Sequence, residues 1–115
     1  MDFGYTSSKQ QGITIFHLQG EIIDKVQATG FLDEVTKLIA AGQNRFVLEL
    51  SGLKYMNSSG LNVLVNTLTK ARNAGGEVSV CNLSKKVSEL LVITKLDSIF
   101  HILPTLDEAI KKLKK

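Results

Sequence analysis

The sequence has a single cysteine, Cys81, so it can form neither an internal disulfide framework nor a zinc site of several thiolates. Uninterrupted apolar runs are also missing. None approaches the ~20 residues that span a bilayer, and the opening MDFGYTSSKQQG lacks the apolar core of a signal peptide. The expectation is a soluble protein of a reducing cytoplasm, with no membrane partner. Neither GxGxxG nor GxxxxGK[ST] occurs, so neither common nucleotide-binding loop has support. One-sided charge is absent too. The net charge is +3, but Lys111, Lys112, Lys114 and Lys115 account for more than that excess, and the rest is near neutral. A nucleic-acid footprint spread over one face is therefore not indicated, and the lysines read as a solvated helix end that complements the macrodipole.

What is present is an ordinary globular composition, with 43% hydrophobic and 22% charged residues over 115 positions, enough for one domain. Residues 3–8 and 13–18 read as two strands of a hairpin, the second ended by Gly20. Val26, Phe31, Leu32, Val35, Leu38 and Ile39 then recur at helical spacing. Residues 45–50 form a nearly continuous apolar run, which fits a strand covered on both faces. Ser51-Gly52 opens a connection, and a second helix is predicted from about residue 59 to 73, followed by a strand at 77–81. Ser84 is placed to cap a third helix, residues 99–103 make a last strand, and Thr105 with Glu108 makes a capping box for a final helix. This order predicts an α/β fold with a mixed sheet of four to five strands. An antiparallel hairpin opens it, βαβ units follow, and about four helices flank it.

Residues with catalytic chemistry are sparse. His17 and His101 fall in predicted strands without ligand-spaced companions, and Cys81 ends a strand as a buried, inert thiol. The informative segment is Tyr55-Met56-Asn57-Ser58-Ser59-Gly60-Leu61, which leaves a buried strand and opens an amphipathic helix. In one reading Asn57 or Ser58 caps the helix and the remaining serine is solvated. In the other, a serine here accepts phosphate. The modification adds roughly −1.5 to −2 charges. Unpaired N–H groups and the helix dipole tolerate that charge, while a docked partner does not.

Gly20-Glu21-Ile22, Phe46 through Leu50, Met56-Asn57-Ser58-Ser59-Gly60-Leu61, Gly75-Gly76 and the run from Val87 to Val92 together resemble the STAS domain family. Within it, the resemblance is to the single-domain anti-sigma factor antagonists of bacteria, and it extends over nearly the whole chain, 1–115. It implies a non-enzymatic protein without cofactor that works by partner switching. The unphosphorylated form would bind an anti-sigma factor serine kinase of the GHKL ATPase type, the kinase would phosphorylate and release it, and a PP2C-type phosphatase would reset it. The resemblance assigns the second serine, Ser59, as acceptor. The partner surface would include Asn57, Ser58, Gly60, Leu61, Glu21 and Asp24, extended by Leu83 and Ser84. Two positions depart from the family pattern. Asn57 replaces the usual aspartate, and Asp24 lies one residue later after Gly20 than expected. The competing expectation is a STAS scaffold that associates constitutively within a larger signalling or lipid-transport assembly. A small enzyme is a third, disfavoured by the lack of convergent His, Cys or paired carboxylates.

Overall fold

The computed structural model describes residues 3–114. Five strands form one sheet in the order β1 (Gly4–Gln10), β2 (Ile13–Ile22), β3 (Arg45–Met56), β4 (Glu77–Cys81), β5 (His101–Leu103). The β1–β2 pair is antiparallel and the other three pairs are parallel. Helices α1 (Thr29–Ala40), α2 (Ser58–Asn73) and α3 (Lys85–Ile93) make the crossovers, and α4 (Leu106–Leu113) closes the chain. The mixed sheet, the opening hairpin and the four helices are those expected.

Alternation along the strands sorts the core into two layers. Phe16, Phe46, Leu48, Leu50 and Val80 pack beneath α1, α2 and α3 with Phe31, Val35, Leu64 and Leu91. Ile13, Ile15, Val47 and Cys81 pack against Ala109, Ile110 and Leu113 of α4. Residues 46–50 are buried without a break, as a strand covered on both faces requires. Phe16 meets Phe31 edge-on at 4.9 Å between ring centroids. Such a pair contributes about 0.5–1.5 kcal/mol beyond the area it buries.

Several boundaries differ from expectation, and two of them shape the site. β3 does not stop at Leu50 but runs on to Met56, while β2 continues past Gly20 to Ile22, with Glu21 opposite Tyr55 and Ile22 opposite Met56. Ser51-Gly52 reads as a turn, yet Gly52 lies within the strand because a bare α-carbon lets Leu18 and Gln19 come close across the pair. The first helix starts later than its apolar pattern suggests. Residues 25–28 form a 3-10 turn, which leaves Val26 71% exposed instead of on the buried stripe. The last strand is shorter than predicted, since Ile99 takes a helical conformation as the C-cap of a second 3-10 turn over Leu96–Ser98 and the strand begins at His101. At α4, Thr105 Oγ1 accepts from the Glu108 N–H at 3.3 Å, whereas the Glu108 carboxylate turns to the Thr105 hydroxyl, so the box is half formed. The final lysine, Lys115, lies outside the described residues; Lys111 and Lys112 do occupy the last turn of α4.

Candidate functional site

The extensions of β2 and β3 deliver two chain corners to the same end of the sheet. One is the 57–61 turn and the other is the 21–24 corner. Asn57 joins them. Its Oδ1 accepts from the N–H groups of Ser59 (2.9 Å) and Gly60 (3.4 Å), capping α2. Its Nδ2 donates to the Ile23 carbonyl at 3.0 Å, and its own N–H donates to the Ile22 carbonyl at 3.3 Å. The cap is therefore the asparagine, and neither serine hydroxyl performs that role.

The 21–24 corner is fixed by a reciprocal cap. Asp24 Oδ1 accepts from the Val26 N–H at 3.1 Å, while Gln27 Oε1 accepts from the N–H groups of Asp24 and Ile23, each at 2.9 Å. Gln27 Nε2 also donates to the Glu21 carbonyl at 3.4 Å. The Asp-x-x-Gln spacing was legible in the sequence as a capping box and belongs among the features that sequence reasoning missed.

Gly60 sets how closely α2 approaches this end of the sheet. A Cβ built there would lie 2.5 Å from Met56 Cβ and 3.0 Å from the Ile22 carbonyl oxygen. Gly60 and Leu61 are both buried, so they shape the surface from below and present no side chain to it. Ser58 is exposed and Ser59 is half-buried. The first turn of α2 carries no acidic residue.

Beside the turn runs an open groove of about 410 Å³, lined by Tyr55, Met56, Asn57 and Ser58 on one wall and Lys86, Glu89, Leu90 and Ile93 of α3 on the other. Exposed apolar side chains lie about this end: Ile23 and Tyr55 at the ends of β2 and β3, Val26 in the 3-10 turn, and Ile93 of α3 in the groove. The α3 wall was not foreseen. Its signal was the apolar Val92-Ile93 pair, which continues a helix whose buried stripe is already complete with Val87 and Leu91. Leu83 and Ser84 sit elsewhere. Ser84 caps α3 through the Val87 N–H at 3.3 Å, and Leu83 lines a separate groove with Ile102 and Pro104.

The remaining polar chemistry lies away from the turn. His17 Nδ1 contacts Glu49 Oε1 at 3.3 Å, and the same carboxylate accepts from Asn82 Nδ2 (2.8 Å) and the Ser51 hydroxyl (3.0 Å). Burial pulls the Glu49 carboxyl upward, but the hydrogen bonds from Asn82, Ser51 and His17 outweigh it and hold the group below its ordinary range. Sequence spacing could not pair residues 32 apart. Burial pushes the Cys81 thiol up to about 12, helped by the nearby Glu49 charge, so it stays protonated and unreactive. Among the described residues, no three His, Cys, Asp or Glu side chains gather to hold a metal ion. No helix among them is long and apolar enough to cross a membrane.

The family profile described as STAS domain matches residues 6–109. The chain belongs to the STAS domain family. Among STAS relatives, BtrV of Bordetella bronchiseptica is 32% identical over 97 residues, covering 84% of this chain and 83% of BtrV. The anti-sigma F factor antagonist of Paenibacillus polymyxa is 30% identical over 104 residues, covering 90% of this chain and 86% of that protein. Among solved STAS folds, SpoIIAA superposes in its unphosphorylated form with a TM-score of 0.80 at 18% identity, 95% of each chain being covered. The phosphorylated form of Bacillus SpoIIAA gives 0.76 at 16% identity, covering 96% of this chain and all of that one. At those identities the SpoIIAA match speaks for the fold alone.

Proposed function

We propose that this chain is an anti-sigma factor antagonist, a binding protein of the bacterial cytoplasm consisting of one STAS domain over residues 1–115. In this reading the 57–61 turn and the groove beside it bind an anti-sigma factor serine kinase of the GHKL ATPase type. Phosphorylation of a turn serine ends the contact, and a PP2C-type phosphatase restores it. The observation that carries the reading is an exposed serine at the start of a 16-residue helix, ringed by exposed apolar side chains. The names of its sequence relatives support it.

Exposure favours Ser58 as acceptor over Ser59, the serine that the resemblance assigns, because Ser58 lines the groove while Ser59 is half-buried. In the transfer, the serine oxygen bonds to the γ-phosphorus of the kinase's ATP and the β–γ bridging P–O bond breaks. ADP leaves, and the hydroxyl proton passes to a base of the kinase. This chain supplies only the nucleophile and its position. Resetting hydrolyses the phosphoserine with water and returns the hydroxyl and inorganic phosphate. Because the α2 dipole and the Asn57 cap tolerate an anion, the phosphorylated chain stays folded. A partner pressed against the turn instead meets a buried, unpaired charge.

The test combines the purified chain, its candidate kinase and ATP, read by intact mass and by binding calorimetry. The expected result is one added phosphate, lost in Ser58→Ala and kept in Ser59→Ala, with Ser58→Asp binding about 100-fold more weakly than Ser58→Ala. Phosphate that disappears only in Ser59→Ala would move the acceptor to Ser59 and leave the switch in place. A stable complex indifferent to ATP, with equal affinity for the Ala and Asp variants, would overturn the switch in favour of a constitutive scaffold.

A further inference from the structure

We infer that Lys86 of α3 is the counter-ion of the phosphorylated turn, drawn across the groove by a phosphate on Ser58, so that modification closes the groove as well as charging it. The inference rests on the proposed switch and adds a residue that neither the turn motif nor the expected partner surface contained.

The argument starts from what lines the groove. Ser58 stands on one wall and Lys86 on the other, and Glu89, three residues further along α3, is the other charged lining residue. Tyr55 also lines the groove, with a phenol and no carboxylate. The first turn of α2 offers no acidic group, and the 21–24 corner clasped by Asn57 contributes Glu21 and Asp24, the latter already engaged by the Val26 N–H. In the unmodified chain the charges of Lys86 and Glu89 balance across a neutral serine. A phosphate of roughly −1.5 to −2 charges offers the lysine a stronger acceptor than the single carboxylate.

Lysine suits this role because its ammonium is a compact point charge on a long flexible stem with three rotatable donors. In reaching toward Ser58 the stem passes over the groove whose walls include Met56, Leu90 and Ile93. A partner side chain seated there would be displaced sterically in addition to being repelled. The device uses no backbone movement, in keeping with a turn tied to Ile22 and Ile23 by Asn57.

The test uses the full chain with phosphoserine installed at position 58 during translation, so that no kinase is needed. Phosphorus NMR follows the second ionisation of the phosphate, ordinarily near pH 6. With Lys86 present, that pKa is expected at least about 0.5 unit below its value in Lys86→Gln, a threefold or greater change in proton affinity. Lys85→Gln, which alters the adjacent residue outside the groove, should leave it unchanged. The difference should shrink in high salt, because the pair is exposed to solvent. Equal pKa values with and without Lys86, or equal shifts in Lys85→Gln and Lys86→Gln, would overturn the inference. Failure of the kinase experiment with a positive shift here would count against the switch alone, whereas a working switch without the shift would count against Lys86 alone.

Discussion

At its C-terminal end α2 passes into β4 through side chains that already have partners. Arg72 donates from Nε to Glu77 Oε1 (2.9 Å) and from a terminal nitrogen to the Ile99 carbonyl (2.8 Å), and His101 Nε2 contacts Glu77 Oε2 at 3.4 Å. Asn44 Nδ2 donates to the Ala74 carbonyl at 2.9 Å. At its N-terminal end the same helix has one neutral cap, an exposed serine, and apolar side chains facing solvent. One end spends its polar groups on the fold, joining α2, β4 and the segment before β5. The other commits Asn57 to the fold but keeps the Ser58 side chain exposed. An exposed side chain such as Ser58 can change partners at little cost to the fold, and the open end is where the switch is proposed.

The largest effect should come from the closed end. A Cβ at Gly76 would lie 1.8 Å from the Asn44 carbonyl oxygen, a backbone atom already bonded to the Glu77 N–H. Gly76→Ala is expected to cost about 3 kcal/mol or more, the upper part of the overpacking range. Thermal melting should fall by roughly 10 °C or more. A melting temperature unchanged within error would show that the 74–77 connection can relax, and that this end is not the rigid one.

Gly60→Ala tests the open end in the same way. Its added carbon would meet Met56 Cβ at 2.5 Å and the Ile22 carbonyl oxygen at 3.0 Å, a smaller overlap than at Gly76 that a tilt of α2 at its first turn would relieve. We expect about 1–3 kcal/mol, less than at Gly76, read from urea unfolding at constant m value. The tilt should also slow phosphorylation of the turn. A greater loss than at Gly76 would reverse the comparison.

Asn57→Ala removes the acceptor that caps Ser59 and Gly60 and the donor that holds Ile23. The expected cost is about 1–2 kcal/mol. Hydrogen exchange should localise it. The Ser59 and Gly60 amides should speed up, while the Gly75 and Gly76 amides, bonded to Arg72 and Ala71 carbonyls, should keep their rates. Uniform acceleration at both ends would mean that the helix opens as one unit and that the two ends are not independent.

How much of this could be read from sequence follows from the range of the interactions involved. The apolar run from Phe46 to Leu50, the stripe through Leu61, Leu64 and Leu68, and the Ser84 and Thr105 caps are local patterns, and each led to the element observed. The 57–61 turn was found for the same reason, since hydroxyls and glycine before a periodic segment mark a helix start. What stayed hidden depends on contacts distant in sequence. Gly52 looks like a turn until Gln19 is beside it, and Val26 looks like core until the 3-10 turn rotates it outward. Lys86 cannot be connected with Ser58 before α3 is laid next to the end of β3. Leu83 and Ser84 entered the expected partner surface through the resemblance, but Ser84 caps α3 and Leu83 lines a separate groove, while the α3 residues beside the turn are Lys86, Glu89, Leu90 and Ile93.

The smallest effect belongs to Glu77, and its pH dependence separates the two ends once more. Burial raises its carboxyl, but the hydrogen bond from Arg72, the Val78 N–H and the positive charges of Arg72 and His101 prevail, holding it below the ordinary value of 4.5. A carboxyl depressed in the folded state contributes stability above its unfolded pKa and loses it as pH falls through the folded one. The Arg72 side chain is 42% exposed, so solvent screens the pair and Glu77→Gln should cost only about 0.2–1 kcal/mol near pH 7. Well below pH 4.5 the carboxyl is protonated in both states, and the wild-type chain and the variant should unfold at the same denaturant concentration. Unfolding curves for the two chains, recorded from neutral to strongly acidic pH, check this. A gap that persists in acid would assign the loss to packing of the Glu77 stem against its neighbours, and the closed end would then be held by shape more than by charge.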